Sequence, residues 1–228
     1  MRTKPLFNLK PKRRRRWQLV SLAILITGIL SMLAVVVTIY GQFTGTFLIK
    51  MNDDAELKGI HLSESGDFTD ATEKLSLTPK SEMIDILFEN IVFIDDILNA
   101  PGGQFEDPYN DDEYIAYNFF IKNTGKETIN LKYDITITES KNKLEDALVL
   151  VLYRQGEGIK EPIKEVYHKS GSRRYLGGDI IYNFRPGDVF KYTFISYIDG
   201  TYSTEEMLAG AVKVNLVFKI DNARDEGE

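Results

Sequence analysis

The chain contains no cysteine, which removes disulfides, thiol catalysis and cysteine-held zinc at once. It has only two histidines, His61 and His168, too few for most histidine-based sites. Neither falls in a His-Glu-x-x-His pattern, and no Gly-x-Ser-x-Gly nucleophile elbow occurs. An Asn-x-Ser/Thr glycosylation signal is missing as well. The glycine pairs Gly102-Gly103 and Gly177-Gly178 lack the lysine and strand–helix setting of a phosphate loop and read as turns. Paired carboxylates, as glycoside hydrolysis needs, arise anywhere in so acidic a chain and single out no residues. These absences leave hydrolysis the least supported class and catalysis without a candidate residue.

Charge is absent over a long stretch. From residue 17 to residue 49, 33 residues, there is no Asp, Glu, Lys or Arg. The centre of that stretch, residues 19–39, is Leu, Ile, Val and Ala broken only by Ser21, Thr27, Gly28, Ser31, Met32 and Thr38. A helix rises about 1.5 Å per residue, so roughly 20 apolar residues cross a hydrocarbon core of about 30 Å. The apolar part is longer than the roughly 7–15 residues of a cleaved signal, and no Ala-x-Ala follows it. Residues 17–40 are therefore expected to be a transmembrane helix in the lipid bilayer, with Trp17 and Tyr40 at its two interfaces. Residues 1–16 carry eight basic side chains, Arg13 to Arg16 among them, and no acid. That bias predicts a cytoplasmic N-terminus and an extracellular domain over residues 41–220, with a charged tail at 221–228. Beyond residue 16 there are 20 basic against 34 acidic residues, a net charge of −14, which excludes nucleic acid as a natural partner. An exported domain without disulfides fits a bacterial surface, Gram-positive in particular.

The exported part alternates with period two. Ile115, Tyr117, Phe119 and Ile121 share one face, Asn123-Thr124-Gly125-Lys126 supplies turn chemistry, and Ile129, Leu131, Tyr133, Ile135 and Ile137 share the next face. Two alternating runs around an Asn/Gly turn read as an antiparallel hairpin with one wet face. Residues 147–153 are apolar on both faces, as in a covered central strand. Strands are also expected at 43–49, 58–63, 159–169, 189–198 and 211–220, with a turn at Arg185-Pro186-Gly187-Asp188. Residues 84–92 fit a strand or a helical face. Ser203-Thr204-Glu205-Glu206 reads as a capping box opening one short helix. The expected fold is all-β, an antiparallel, jelly-roll-like β-sandwich with one short helix. At an edge, residues 43–49 would accept a partner strand or a second copy; in the sheet interior they would not.

The one chemically suggestive cluster is acidic: Glu106, Asp107, Asn110, Asp111, Asp112 and Glu113. Calcium takes six to eight oxygens, and Asp107, Asp111 and Asp112 are the candidate ligands, though the spacing departs from an EF-hand. A solvated acidic loop is the competing reading.

Several segments carry a resemblance. They are Tyr40-Gly41 with Gly45-Thr46-Phe47, the run from Tyr114-Ile115-Ala116-Tyr117 to Asn123-Thr124-Gly125, Arg185-Pro186-Gly187-Asp188, and the Asp-Gly…Ser-Thr-Glu-Glu…Ala-Gly stretch at 199–210. Together they resemble single-pass surface proteins of Firmicutes and, more distantly, the TasA/camelysin group of secreted β-sandwich proteins, some of which build biofilm fibres. The resemblance implies a sandwich that adheres or assembles. The metallopeptidase activity attached to camelysin does not carry over to two scattered histidines, and an uncleaved anchor departs from a released fibre subunit. The expected function is a non-catalytic surface adhesion or assembly module; the alternative is an extracytoplasmic sensor or accessory subunit of a membrane complex.

Protease added to intact protoplasts should digest the chain beyond residue 40 and spare residues 1–16. Survival of the large domain would reverse the orientation.

Overall fold

The structure, a computed structural model, describes residues 22, 24–29, 31–32, 45–77, 83–109 and 113–221. The chain divides into two units, Met1–Phe43 and Thr44–Glu228. In the first, the described residues between 22 and 32 are helical. Among the described residues no helix is long and apolar enough to cross a membrane. Most of the expected span, the basic segment before it and the tail beyond Asp221 lie outside them.

In the second unit two sheets face one another. The first runs β3 (Lys74–Leu77), β1 (Thr46–Met51), β11 (Ala211–Ile220), β6 (Ile129–Lys141), β9 (Tyr175–Phe184). The second runs β2 (Ile60–Ser63), β5 (Tyr114–Asn123), β10 (Val189–Ile198), β7 (Leu148–Gly156), β8 (Ile163–His168), with β4 (Gly103–Phe105) also on β5. Two short helices, α1 (Asp53–Leu57) and α2 (Ile94–Asn99), complete it. The protein is thus mostly β in two layers, as expected. One pairing breaks the antiparallel rule, because β1 lies parallel to β11.

Alternation identifies the buried faces correctly. In β6, Leu131, Tyr133, Ile135 and Ile137 are buried while Lys132, Asp134, Thr136 and Thr138 are half-exposed. β7 is apolar on both faces because it is covered twice. One face meets the first sheet, and the other, with Val149, Val151 and Tyr153, lies beneath Ile86, Ile91, Ile97 and Leu98.

The expected hairpin is corrected. β5 pairs with β10, β2 and β4, whereas β6 pairs with β11 and β9. Residues 124–128 form an arch from one sheet to the other, so the two apolar stripes face each other across the core instead of lying side by side. Asn123 holds the arch. Its Nδ2 donates to the carbonyls of Glu127 and Phe184, each at 2.9 Å, and its Oδ1 accepts the Gly125 N–H at 2.9 Å. Glycine is required at 125, where a Cβ would lie 1.9 Å from the Lys58 carbonyl oxygen.

Other expectations change too. Residues 84–92 give a 3-10 turn at Phe88–Asn90 and one bridge, Ile86 to Asp199, followed by α2. The capping box is not formed: Glu205–Met207 is a 3-10 turn without a side-chain bond from Thr204. Gly177-Gly178 is no turn but lies inside β9, where a Cβ on Gly178 would sit 2.0 Å from the Tyr133 carbonyl oxygen. β1 is interior, paired on both sides, so it offers no free edge.

Ile135 is fully buried between the sheets. Ile135→Ala should cost about 2–5 kcal/mol in denaturant melts, against under about 0.5 kcal/mol for a half-exposed surface change such as Thr136→Ala.

Candidate functional site

At the end of the sandwich where β1, β7 and β11 begin and β10 stops, the two sheets do not close. A cavity of about 590 Å³ remains there, within the range of about 300–1,000 Å³ typical of ligand sites. Phe47, Ile115, Leu148, Ile198 and Val212 form its buried floor. The connection from β10 to β11 walls one side with Met207, Leu208, Ala209 and Gly210. That wall has a defined path: Ala209 adopts a φ of 54°, and a Cβ on Gly210 would lie 2.6 Å from the Met207 carbonyl oxygen. Polar side chains are few, and they sit at the rim. The Ser203 hydroxyl donates to Asp85 at 2.6 Å, and Thr204 lies beside them. The opening is flanked by Ile84 and Leu208, which are 57% and 73% exposed. Such a site can hold an apolar group, and its rim offers hydrogen bonds to a polar end.

A second feature closes the side of the sandwich between β8 and β9. Phe119 and Tyr192 from the second sheet pack on Tyr133 and Phe218 from the first, with ring centroids 5.6–6.1 Å apart across the sheets. The Tyr133 and Tyr167 hydroxyls both donate to the Glu165 carboxylate. Arg154 lies 3.5 Å from Asp179, tying β7 to β9. Burial, then the hydrogen bonds to Glu165, pushes the Tyr133 and Tyr167 hydroxyls well above their ordinary pKa of 10.0, and burial foremost raises Tyr192 against the opposing pull of Arg154. Here the side chains join the sheets while the backbone does not: among the described residues β8 pairs only with β7, and β9 only with β6.

Of the expected calcium ligands, Asp107 is buried and structurally engaged. It accepts the Tyr109 N–H at 2.8 Å and the Tyr114 hydroxyl at 2.7 Å. Asp111 and Asp112 lie outside the described residues, and among the described residues no three His, Asp or Glu side chains converge as a metal site. His61 and His168 stand in β2 and β8, at opposite ends of one sheet order. Another acidic loop, unnoticed in the sequence, runs from Glu64 to Asp70: hydroxyls of Ser63 and Ser65 donate to Asp70 and hold its carboxyl down at about 2. A shallower depression of about 370 Å³ lies by Lys191, whose ammonium donates to the Leu98 and Ala100 carbonyls at 2.7 and 2.5 Å. The cavity itself escaped the sequence reading because its walls come from six separate segments, with Met207 and Leu208 placed in what read as an ordinary short helix.

No family model matches the chain, and no curated protein matches it. Among solved structures, the N-terminal domain of PorA is similar with a TM-score of 0.20 and 9% identity, over 69% of this chain and 96% of that one. A likeness that slight carries no argument about fold or function.

The tyrosine cluster makes stability alkali-sensitive. In the unfolded chain these hydroxyls ionise near 10.0; in the folded chain they hold their protons to higher pH. Their contribution is therefore complete below pH 10 and is lost above it, at about 1.4 kcal/mol per pH unit for each withheld proton. Tyr133→Phe, which has no hydroxyl to ionise, should flatten the decline of unfolding free energy above pH 10 relative to wild type, leaving the slope near neutrality unchanged.

Proposed function

We propose that this chain is a membrane-tethered surface module that binds and assembles without catalysis, held by the apolar segment at 17–40 with its sandwich on the outer side. The observation that carries the assembly reading is the uncovered edge of β8. It is six residues long, pairs only with β7 among the described residues, and has no glycine, proline or register shift. An edge of this kind presents unpaired N–H and C=O groups to which another strand can add. β9, the open edge of the facing sheet, is interrupted by Gly177-Gly178 and by two register shifts, irregularities of the kind that discourage strand addition.

The strand order supports the same reading. β1-β11-β6-β9 facing β5-β10-β7-β8 is a jelly-roll-like arrangement, with β1 reversed so that it runs parallel to β11. The resemblance to TasA/camelysin-type sandwiches points the same way, with the anchor as the difference. Chemistry has little support beside this, since two of the polar side chains at the cavity, Asp85 and Ser203, bond to one another.

Because the chain has no cysteine, Val166→Cys introduces a unique thiol at an edge position that is 52% exposed. A membrane-impermeant maleimide should label it on intact cells, and mild oxidation should give a disulfide-linked dimer of the variant. Labelling only after permeabilisation would overturn the topology. A variant labelled from outside but monomeric after oxidation would overturn assembly through β8.

A further inference from the structure

We propose that the cavity between the ends of β1, β7, β10 and β11 is a binding site for one aliphatic chain of a membrane lipid. Two observations converge on that occupant. The first is the character of the void. Protein interiors seldom leave spaces larger than a water molecule, yet about 590 Å³ remains open here. Its depth is lined by Phe47, Ile115, Leu148, Ile198 and Val212, none of which can hydrogen-bond a peptide or a sugar. Among the described lining residues the polar side chains are Asp85, Ser203 and Thr204, at the rim. An apolar interior with a small polar collar matches an amphiphile: a hydrocarbon tail inside and a headgroup outside.

The second observation is where the cavity sits along the chain. Gly45, the first described residue of the sandwich, is part of its lining, and only four residues separate it from Tyr40 at the end of the apolar segment. At no more than about 3.5 Å per residue, that connection spans at most roughly 17 Å, so under the tether proposed above Gly45 lies no farther than that from the end of the apolar segment. Ile84 and Leu208, both exposed at the opening, give an apolar path for a chain leaving the leaflet. The inference rests on the membrane tether proposed above and goes beyond it, since a tether alone needs no cavity.

The test uses the full chain reconstituted in phosphatidylcholine vesicles doped with a phosphatidylcholine that carries a diazirine at the end of one acyl chain. After photolysis, labelled peptides are mapped. Label is expected on the peptides that hold Phe47, Leu148 or Ile198, in addition to residues 17–44. Ala211→Phe, which fills the cavity, and Leu208→Asp, which puts a charge at its mouth, should each reduce cavity label roughly tenfold while the label on residues 17–44 stays unchanged. Leu208 is 73% exposed, so its variant keeps the test valid if Ala211→Phe misfolds. Label confined to residues 17–44 would overturn the lipid site and leave the tether standing. Cavity label that persists in Leu208→Asp and in a folded Ala211→Phe would also overturn it. No label on any peptide, with the chain washed from vesicles by alkaline carbonate, would remove the tether and the lipid site together.

Discussion

The structure depends on one requirement, that two sheets share a single interior built from large aromatic rings. Phe119 and Tyr192 reach in from one sheet, Tyr133 and Phe218 from the other, and all four are fully buried. Rings of this size bury much apolar area and prefer offset or edge-to-face contact, so they set the spacing of the layers. Two of the four bring a hydroxyl into the core, and a buried hydroxyl without a partner costs about 1–3 kcal/mol. For Tyr133 the solution is Glu165, supplied from β8, with Tyr167 as a second donor to the same carboxylate. That bond draws the edge strand of one sheet towards an interior strand of the other.

Several distant features follow. Glycine is needed at 177 because the Tyr167 ring lies against β9, where a Cβ would come within 2.4 Å of it. With β8 and β9 held through side chains, their backbone edges have no need to meet, and each stays open. The opposite consequence appears where β1, β7, β10 and β11 end. Among the described residues no aromatic pair spans the sheets there except Phe47 against Phe194, 5.0 Å apart, and the layers are left with a cavity. The same core thus produces a sealed side, two free edges and an open end.

Much of the fold was legible because burial in a sheet has period two. Tyr133 and Ile135 against Asp134 and Thr136 show this directly, as does β7, whose lack of alternation reports cover on both faces. Pairing was not legible. Alternation states which face of a strand is buried and is silent on its neighbour, so an arch and a hairpin look alike around Asn123-Thr124-Gly125. The distinguishing contacts, from the Asn123 side chain to the Phe184 carbonyl and from the Thr124 N–H to the Gly59 carbonyl, join residues far apart in sequence. Residues 84–92 were ambiguous for a related reason: a segment that packs across the outside of a sheet needs apolar residues without a strand's or a long helix's period.

The candidate site was the least legible part. Carboxylate density drew attention to Asp107, yet that side chain is spent on a turn and on the Tyr114 hydroxyl. Carboxylates are conspicuous in a sequence, whereas a cavity is defined by where side chains end, a property of no single residue. Leu148 and Ile198 would read as ordinary core, and Leu208 as an ordinary surface leucine. What sets them apart is that β10 stops at Ile198 while the chain takes twelve residues to re-enter at Ala211, long enough to arch over the end without filling it. A shorter connection would have brought the sheet ends together and removed the space. The length and path of that connection, fixed by Ala209 and Gly210, are therefore what separate a closed sandwich from one with room for a guest.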